Sequence, residues 1–309
     1  LPLWPPVLPE TKVDPTILGS EMFGKNVSAP FFINAMTGGS AASKQINQAL
    51  GQVAQQQNIA LALGSASILA KETDQLDSFM VARAEDPDGV LIVNVNPETP
   101  ISAIKQIIQE LNADALQIHL NTIQEIAMPE GDRDFRWLDS IKAIRTAIDL
   151  PIIIKEVGFG LDQTSIHLLK VNGIEYFDVA GSGGTNFAQI ENARNASDVS
   201  YLEDLGLPTV VTALMAWQEQ VKFFVSGGVR NPLDILKGLA LGGKFVGISN
   251  VFLQEYIQNG STGLEQLITN WKNELAALIA VYGKKDLASL VQIKKYYDLP
   301  LKAQIDQLL

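Results

Sequence analysis

The stretch "ALQIHLNTIQEIAMPEGD", residues 115–132, begins as an apolar run fit for a core and ends by setting His119, Asn121, Gln124 and Glu125 within seven positions. A core has no use for that cluster. One carboxylate with amide and imidazole neighbours suits a hard cation such as Mg²⁺, which keeps several waters and takes its remaining oxygens from a phosphorylated ligand. It is a poor zinc site. The chain also has no cysteine, which removes disulfides, thiolate nucleophiles and iron–sulfur ligation together. "MPEGD" reads as a loop able to fold over the cluster. The other histidine, His167, lies in the helical "TSIHLLKVNG" and reads as structural.

A second group points to an anion. "SGGVRNPLD" (226–234) has glycines that let the backbone approach a ligand, then a helix start whose amides and dipole favour negative charge. Gly228 and Val229 supply backbone there, and Arg230 adds a fixed charge. "GISN" (247–250) brings Ser249 and Asn250 beside it, and "AGSGGTNF" (180–187) adds Thr185. Lys155 follows "PIII" and should project among apolar strands, where an ammonium needs a negative partner. Glu156 points to the opposite side of its strand and is a poor candidate. A bound anion, an electron-rich ring or a structural ion pair elsewhere in the barrel remains to compensate it. "NAMTGGS" (34–40) offers Ala35, Met36 and Thr37 to the edge of a flat heterocycle, with Ser65 and Asn94 for its polar rim. A ring and a phosphate at opposite sides of one mouth outline a mononucleotide such as FMN.

These residues must be held by recurring elements. Strand-length apolar runs occur at 30–36, 59–65, 90–96, 115–121, 151–158, 176–183, 222–228 and 244–249. Their near-continuous apolarity suits parallel strands covered on both faces. Amphipathic segments alternate with them. In "FRWLDSIKAIRTAI" (135–148), Trp137, Ile141, Ile144 and Ile148 share one helical face. "SKQINQALGQVAQQQ" (43–57) is another such segment, and "NPLDILKGLALG" (231–242) opens with Asn231 as cap and Pro232 at the first helical position. Eight such units imply an α/β protein of the (β/α)₈ TIM-barrel class, with a doubly wound sheet as the alternative. Every polar signature falls at the C-terminal end of its strand, the face that carries the active site in such barrels.

The expected organisation is one barrel domain over 1–309. An extension (1–29) forms an extra strand or lid, the eight units occupy 30–250, and helices at 263–282 and 284–297 complete the outer layer within 251–309. A net charge of −11 argues against nucleic acid or an acidic membrane as partner. No apolar stretch approaches the roughly 18–20 residues that span a bilayer. The first residues, "LPLWPPVLPETKVDP", lack the pattern of a signal peptide, so the expected address is cytoplasmic.

The ordered motifs "INAMTGGS", "QIHLN", "QEIAMPEG", "KEVGFG", "GSGGTNF", "IENAR" and "SGGVRNPLD" resemble those of the type 2, flavin-dependent isopentenyl-diphosphate isomerases over roughly residues 29–250. The resemblance implies FMN contacts at Ala35, Met36, Thr37, Ser65, Asn94, Lys155 and Thr185, and a flavin-phosphate site around Gly228, Val229, Ser249 and Asn250. It implies a substrate contact at Gln124, a Mg²⁺ ligand at Glu125, and His119 and Asn121 near a substrate diphosphate. It further implies a homotetramer or homo-octamer, NADPH to reduce the flavin, and reduced FMN, with N5 the leading atom, as acid and base for moving a double bond. Lys155 would then balance the anionic reduced ring, and Gln124 would orient the substrate or relay a proton. Two departures stand out: no Arg-Lys diphosphate clamp is found near the start, and Val157 stands where some members place a hydroxyl. A flavin-dependent hydroxy-acid oxidase or dehydrogenase is the competing reading. It needs a histidine base with an arginine near the seventh strand, and no histidine follows 167. A non-catalytic flavin- or phosphate-binding barrel is the third.

Overall fold

Runs that are apolar on both faces require a sheet covered on both sides. The computed structural model, which describes residues 1–194 and 198–309, closes them into a barrel. An antiparallel hairpin, β1 (Ser20–Met22) and β2 (Lys25–Val27), comes first. The barrel strands are β3 (Phe31–Ile33), β4 (Leu61–Ser65), β5 (Leu91–Val95), β6 (Ala115–Leu120), β7 (Ile152–Glu156), β8 (Tyr176–Asp178), β9 (Lys222–Val225) and β10 (Phe245–Ile248). All are parallel, and β10 returns to β3 through Val246↔Phe31 and Ile248↔Ile33. That closure decides for the (β/α)₈ barrel over the doubly wound sheet.

The helices are α1 (Ala41–Gln57), α2 (Asp77–Glu85), α3 (Ile101–Leu111), α4 (Thr122–Ala127), α5 (Leu138–Ala147), α6 (Gln163–Val171), α7 (Phe187–Arg194), α8 (Thr209–Gln218), α9 (Pro232–Ala240), α10 (Asn250–Val281) and α11 (Leu299–Leu308). Local chemistry sets their starts. The Asn231 side chain accepts from Asp234 N–H ahead of α9, with Pro232 in the first turn. Trp137, Ile141, Ile144 and Ile148 are all buried under α5. No helix among the described residues is long and apolar enough to cross a membrane.

The barrel interior changes character along its axis. Its lower part is an apolar cluster that includes Phe32, Ile92, Ile153, Phe224 and Phe245; burying each such side chain contributes about 1.5–3 kcal/mol. Two residues further along the same strands, the inward positions become Asn34, Asn94, Lys155, Ser226 and Gly247. Asp178 ties the upper layer together, accepting from Asn34 Nδ2 at 2.8 Å and from Ser226 Oγ at 2.5 Å. Gly247 is required there, since a Cβ would lie 2.5 Å from Asn34 Nδ2.

The N-terminal extension does supply extra strands, but it closes the bottom of the barrel, away from the mouth. Phe23 and Gly24 form the hairpin tip with φ of 52° and 82°, and the Phe23 ring packs edge-on against Tyr176 at 5.4 Å. At the other end, the helix expected at 263–282 is part of α10, which kinks at Gly260. The helix expected at 284–297 is not formed. Leu287, Leu290 and Ile293, three residues apart, pack inward around a 3₁₀ turn (Ala288–Gln292). The chain then runs extended, with Tyr296 N–H donating to Pro2 O and Trp4 N–H to Lys294 O. Asp298 caps the real last helix, α11, by accepting from Leu301 N–H.

Candidate active site

A cleft of about 750 Å³ opens at the C-terminal end of the strands. It brings together Ala35, Met36, Lys155, Thr185, Gly228, Val229, Arg230, Ser249 and Asn250, which lie on five different βα loops and strand ends. One corner is built from backbone. Gly227 and Gly228 adopt φ of 91° and 85° just before α9, and a Cβ on Gly184 would sit 2.6 Å from Gly228 N. Side chains are therefore excluded, and the amides before α9 and α10 are left facing the cleft, as an anion requires. Arg230 reaches back to donate to Gly183 O at 2.6 Å, so its charge is anchored at the rim.

Lys155 is buried, and its Nζ donates to Glu156 O at 2.5 Å. Among the described residues no carboxylate comes within ion-pair distance of it. Its cross-strand neighbour Asp178 is engaged by Asn34 and Ser226. The Glu156 carboxylate accepts instead from three successive amides, Gly158, Phe159 and Gly160, and fixes that turn. A lysine with no ion pair among the described residues thus lines the cleft.

Beside it, on β5 and β6, runs a chain of amides. His119 Nδ1 donates to Asn94 Oδ1 at 2.7 Å, and Asn94 Nδ2 donates to Gln117 Oε1 at 2.6 Å. Gln117 Nε2 is buried and has no partner. A buried amide nitrogen without an acceptor costs about 1–3 kcal/mol, so the position calls for a ligand acceptor. Burial first, then the Lys155 charge, pulls the His119 imidazolium down to about 4, against a weaker opposing hydrogen bond at Val95. His119 is therefore neutral near pH 7.

The fourth group stands on α4. Asn121 Nδ2 donates to Glu125 Oε1 at 2.8 Å and to Gln124 Oε1 at 3.3 Å. Asp132 N–H holds Glu125 Oε2 at 2.7 Å. Gln124 Nε2 donates to Glu191 Oε1 at 3.2 Å. Glu191 is a buried carboxylate on α7, whose neighbour Ile190 lines the cleft. Thr37 and Ser65 stand further from a ligand role. The Thr37 hydroxyl donates to Asn47 Oδ1 at 2.6 Å, and Ser65 Oγ donates to Ser67 Oγ at 3.1 Å.

Sequence reasoning missed Gln117 and Glu191. Period-two alternation from His119 would have found the first. "IENAR" contained the second without showing where α7 places it. His167 pairs with Glu219 at 3.0 Å, between α6 and α8.

A relative from Staphylococcus haemolyticus named "Isopentenyl-diphosphate delta-isomerase" is 39% identical over 304 residues, covering 97% of this chain and 87% of that protein. The chain belongs to the isopentenyl-diphosphate delta-isomerase family. A Latilactobacillus sakei protein of the same name is 39% identical, over 92% of this chain and 82% of that one. Residues 75–294 also match the model of the FMN-dependent dehydrogenase family. Among solved structures, a flavocytochrome b2 mutant matches with a TM-score of 0.71 at 16% identity, over 99% of this chain and 80% of that one. A mandelate oxidase mutant does so at 0.68 and 13%, over 96% and 88%. At such identities these two show a shared fold. The isomerase family and the flavin family meet in a site whose glycine corner, buried Lys155 without an ion pair and partnerless Gln117 Nε2 fit an FMN.

Proposed function

We propose that this chain interconverts isopentenyl diphosphate and dimethylallyl diphosphate in isoprenoid biosynthesis. The observation that carries the reading is a pair of separate polar groups following the barrel strands. The glycine corner and Lys155 suit a flavin mononucleotide, while a second group, Glu125, Gln124 and Glu191, is joined between α4 and α7. The reaction adds a proton to one carbon and removes one from another, so it has no net oxidation. Reduced FMN, when bound, supplies acid/base chemistry over the alkene, and NADPH is needed only to bring it to that state.

This chain's residues do the rest. The amides around Gly228, Val229, Ser249 and Asn250 hold the flavin phosphate, with Arg230 at the rim. Ala35, Met36 and Thr185 border the ring, Thr37 and Ser65 its outer edge, and Gln117 Nε2 donates to it. Lys155 balances its negative charge. Glu125 holds Mg²⁺ against the substrate diphosphate. His119 and Asn121 stand beside that group. Gln124, held by Glu191, orients the allylic unit and passes its proton toward the buried carboxylate, a general acid–base arrangement. The functional form is a homotetramer or homo-octamer.

Anaerobic incubation with reduced FMN, Mg²⁺ and isopentenyl diphosphate tests the reading, and dimethylallyl diphosphate is the expected product. Substrate-dependent reduction of a dye by small 2-hydroxy acids, with no such product, would move the assignment to an oxidoreductase. The placement of both histidines weighs against that alternative. His119 is neutral and tied to Asn94, and His167 lies between outer helices.

A further inference from the structure

Glu125 is held by two donors of different kinds. Asn121 Nδ2, from the turn before α4, takes Oε1, and the main-chain N–H of Asp132 takes Oε2. The second donor is seven residues along the chain, so the segment after α4 must double back to deliver it. The Asp132 carboxylate is turned away, accepting from the amides of Arg133 and Asp134. What reaches Glu125 is backbone, whose position depends wholly on the shape of the loop.

That shape is gathered by one side chain. Arg133 Nη1 donates to Glu125 O at 2.5 Å, Gly131 O at 2.7 Å and Asp132 O at 2.9 Å. Its Nη2 reaches Met128 O at 2.9 Å and Ile126 O at 3.5 Å. Three of these carbonyls belong to the C-terminal turn of α4 and the residue after it, where carbonyls lack intrahelical partners and a cation is favoured. The planar guanidinium spans five carbonyls at once, which a point-charge ammonium cannot do. Gly131 completes the fold-back: a Cβ there would lie 1.9 Å from Glu125 O.

We infer that Arg133 is a positioning residue for the divalent-cation site. It folds residues 128–133 into a clip that presents Asp132 N–H to Glu125 and so fixes the direction in which that carboxylate faces a metal. The inference rests on the proposed role of Glu125 and adds to it. Partners that orient a ligating carboxylate typically change metal affinity by about 10–100-fold when removed.

The test uses the FMN-loaded full chain, with Mn²⁺ as a paramagnetic probe and inorganic pyrophosphate as the phosphate oxygens, read by electron paramagnetic resonance titration. Arg133→Ala should weaken Mn²⁺ binding about tenfold or more and speed amide exchange in 128–134. The flavin spectrum and the thermal midpoint should stay in place. Arg133→Lys should recover part of the affinity. Gly131→Ala should repeat the loss by a different route, without removing a charge. Glu125→Gln is run in parallel. If it weakens Mn²⁺ while both clip variants titrate like the parent, the clip is refuted and the Glu125 reading stands. If Glu125→Gln also titrates like the parent, the metal site itself is misplaced and the clip falls with it.

Discussion

Gln124 Nε2 donates to Glu191 Oε1 across 3.2 Å, joining α4 to α7 over the barrel mouth. Arg194 Nη1 lies 3.8 Å from the same carboxylate. Gln124 is therefore tied to a buried carboxylate on the neighbouring helix.

Glu191→Gln should lower the isomerisation rate by about 10²–10⁴, the usual contribution of a positioned acid or base, with FMN binding unchanged. Gln124→Ala should act in the same direction. The double variant should cost less than the sum of the singles, because the pair acts as one unit. Steady-state rates with a flavin titration check all three.

Lys155→Ala should weaken reduced FMN more than oxidised FMN. A hydrogen bond to a charged group contributes about 1.5–3 kcal/mol, so the reduced form should lose about 10–100-fold in affinity. The midpoint potential of the bound flavin should fall accordingly. Spectroelectrochemistry reads both.

His119 is held neutral, which gives stability a defined pH dependence. Its folded value of about 4 lies below the ordinary 6.5, so the unfolded chain binds more protons between those limits. Stability should fall as pH drops from about 6.5 toward 4, by about 3 kcal/mol in all, and be unaffected by this group above that window. Denaturant midpoints across the window should flatten in His119→Gln.

Gly228→Ala should weaken FMN about tenfold or more while leaving the barrel folded. Gly228 has φ of 85°, and a Cβ would lie 2.5 Å from Gly183 O, so the corner must open by strain of about 1–3 kcal/mol. FMN fluorescence quenching measures the loss.

The strands were legible in the sequence because burial on both faces leaves little room for polar residues. Each run from Phe31 to Ile248 ends where water or a ligand begins. Asn34, Asn94 and Lys155 are visible for the same reason, as polar interruptions of apolar runs. Gln117 is such an interruption too, but it sits one step deeper than His119, which with Asn121 marks the polar end of its strand. Glu191 could not be placed, since its nearness to Gln124 depends on how the glycine-rich turn after β8 aims α7. The segment after 283 misled by its spacing of three, which a 3₁₀ turn satisfies as well as an α-helix. The hydroxyl of Thr37 reads as a ligand group in sequence, and only the fold shows it bound to Asn47.

The most direct measurement follows isopentenyl diphosphate by proton NMR in D₂O, anaerobically, with FMN, Mg²⁺ and a trace of NADPH. Deuterated dimethylallyl diphosphate should form in large excess over the NADPH consumed. Product formed only in proportion to NADPH, or a bound flavin with no product at all, would contradict a redox-neutral isomerase.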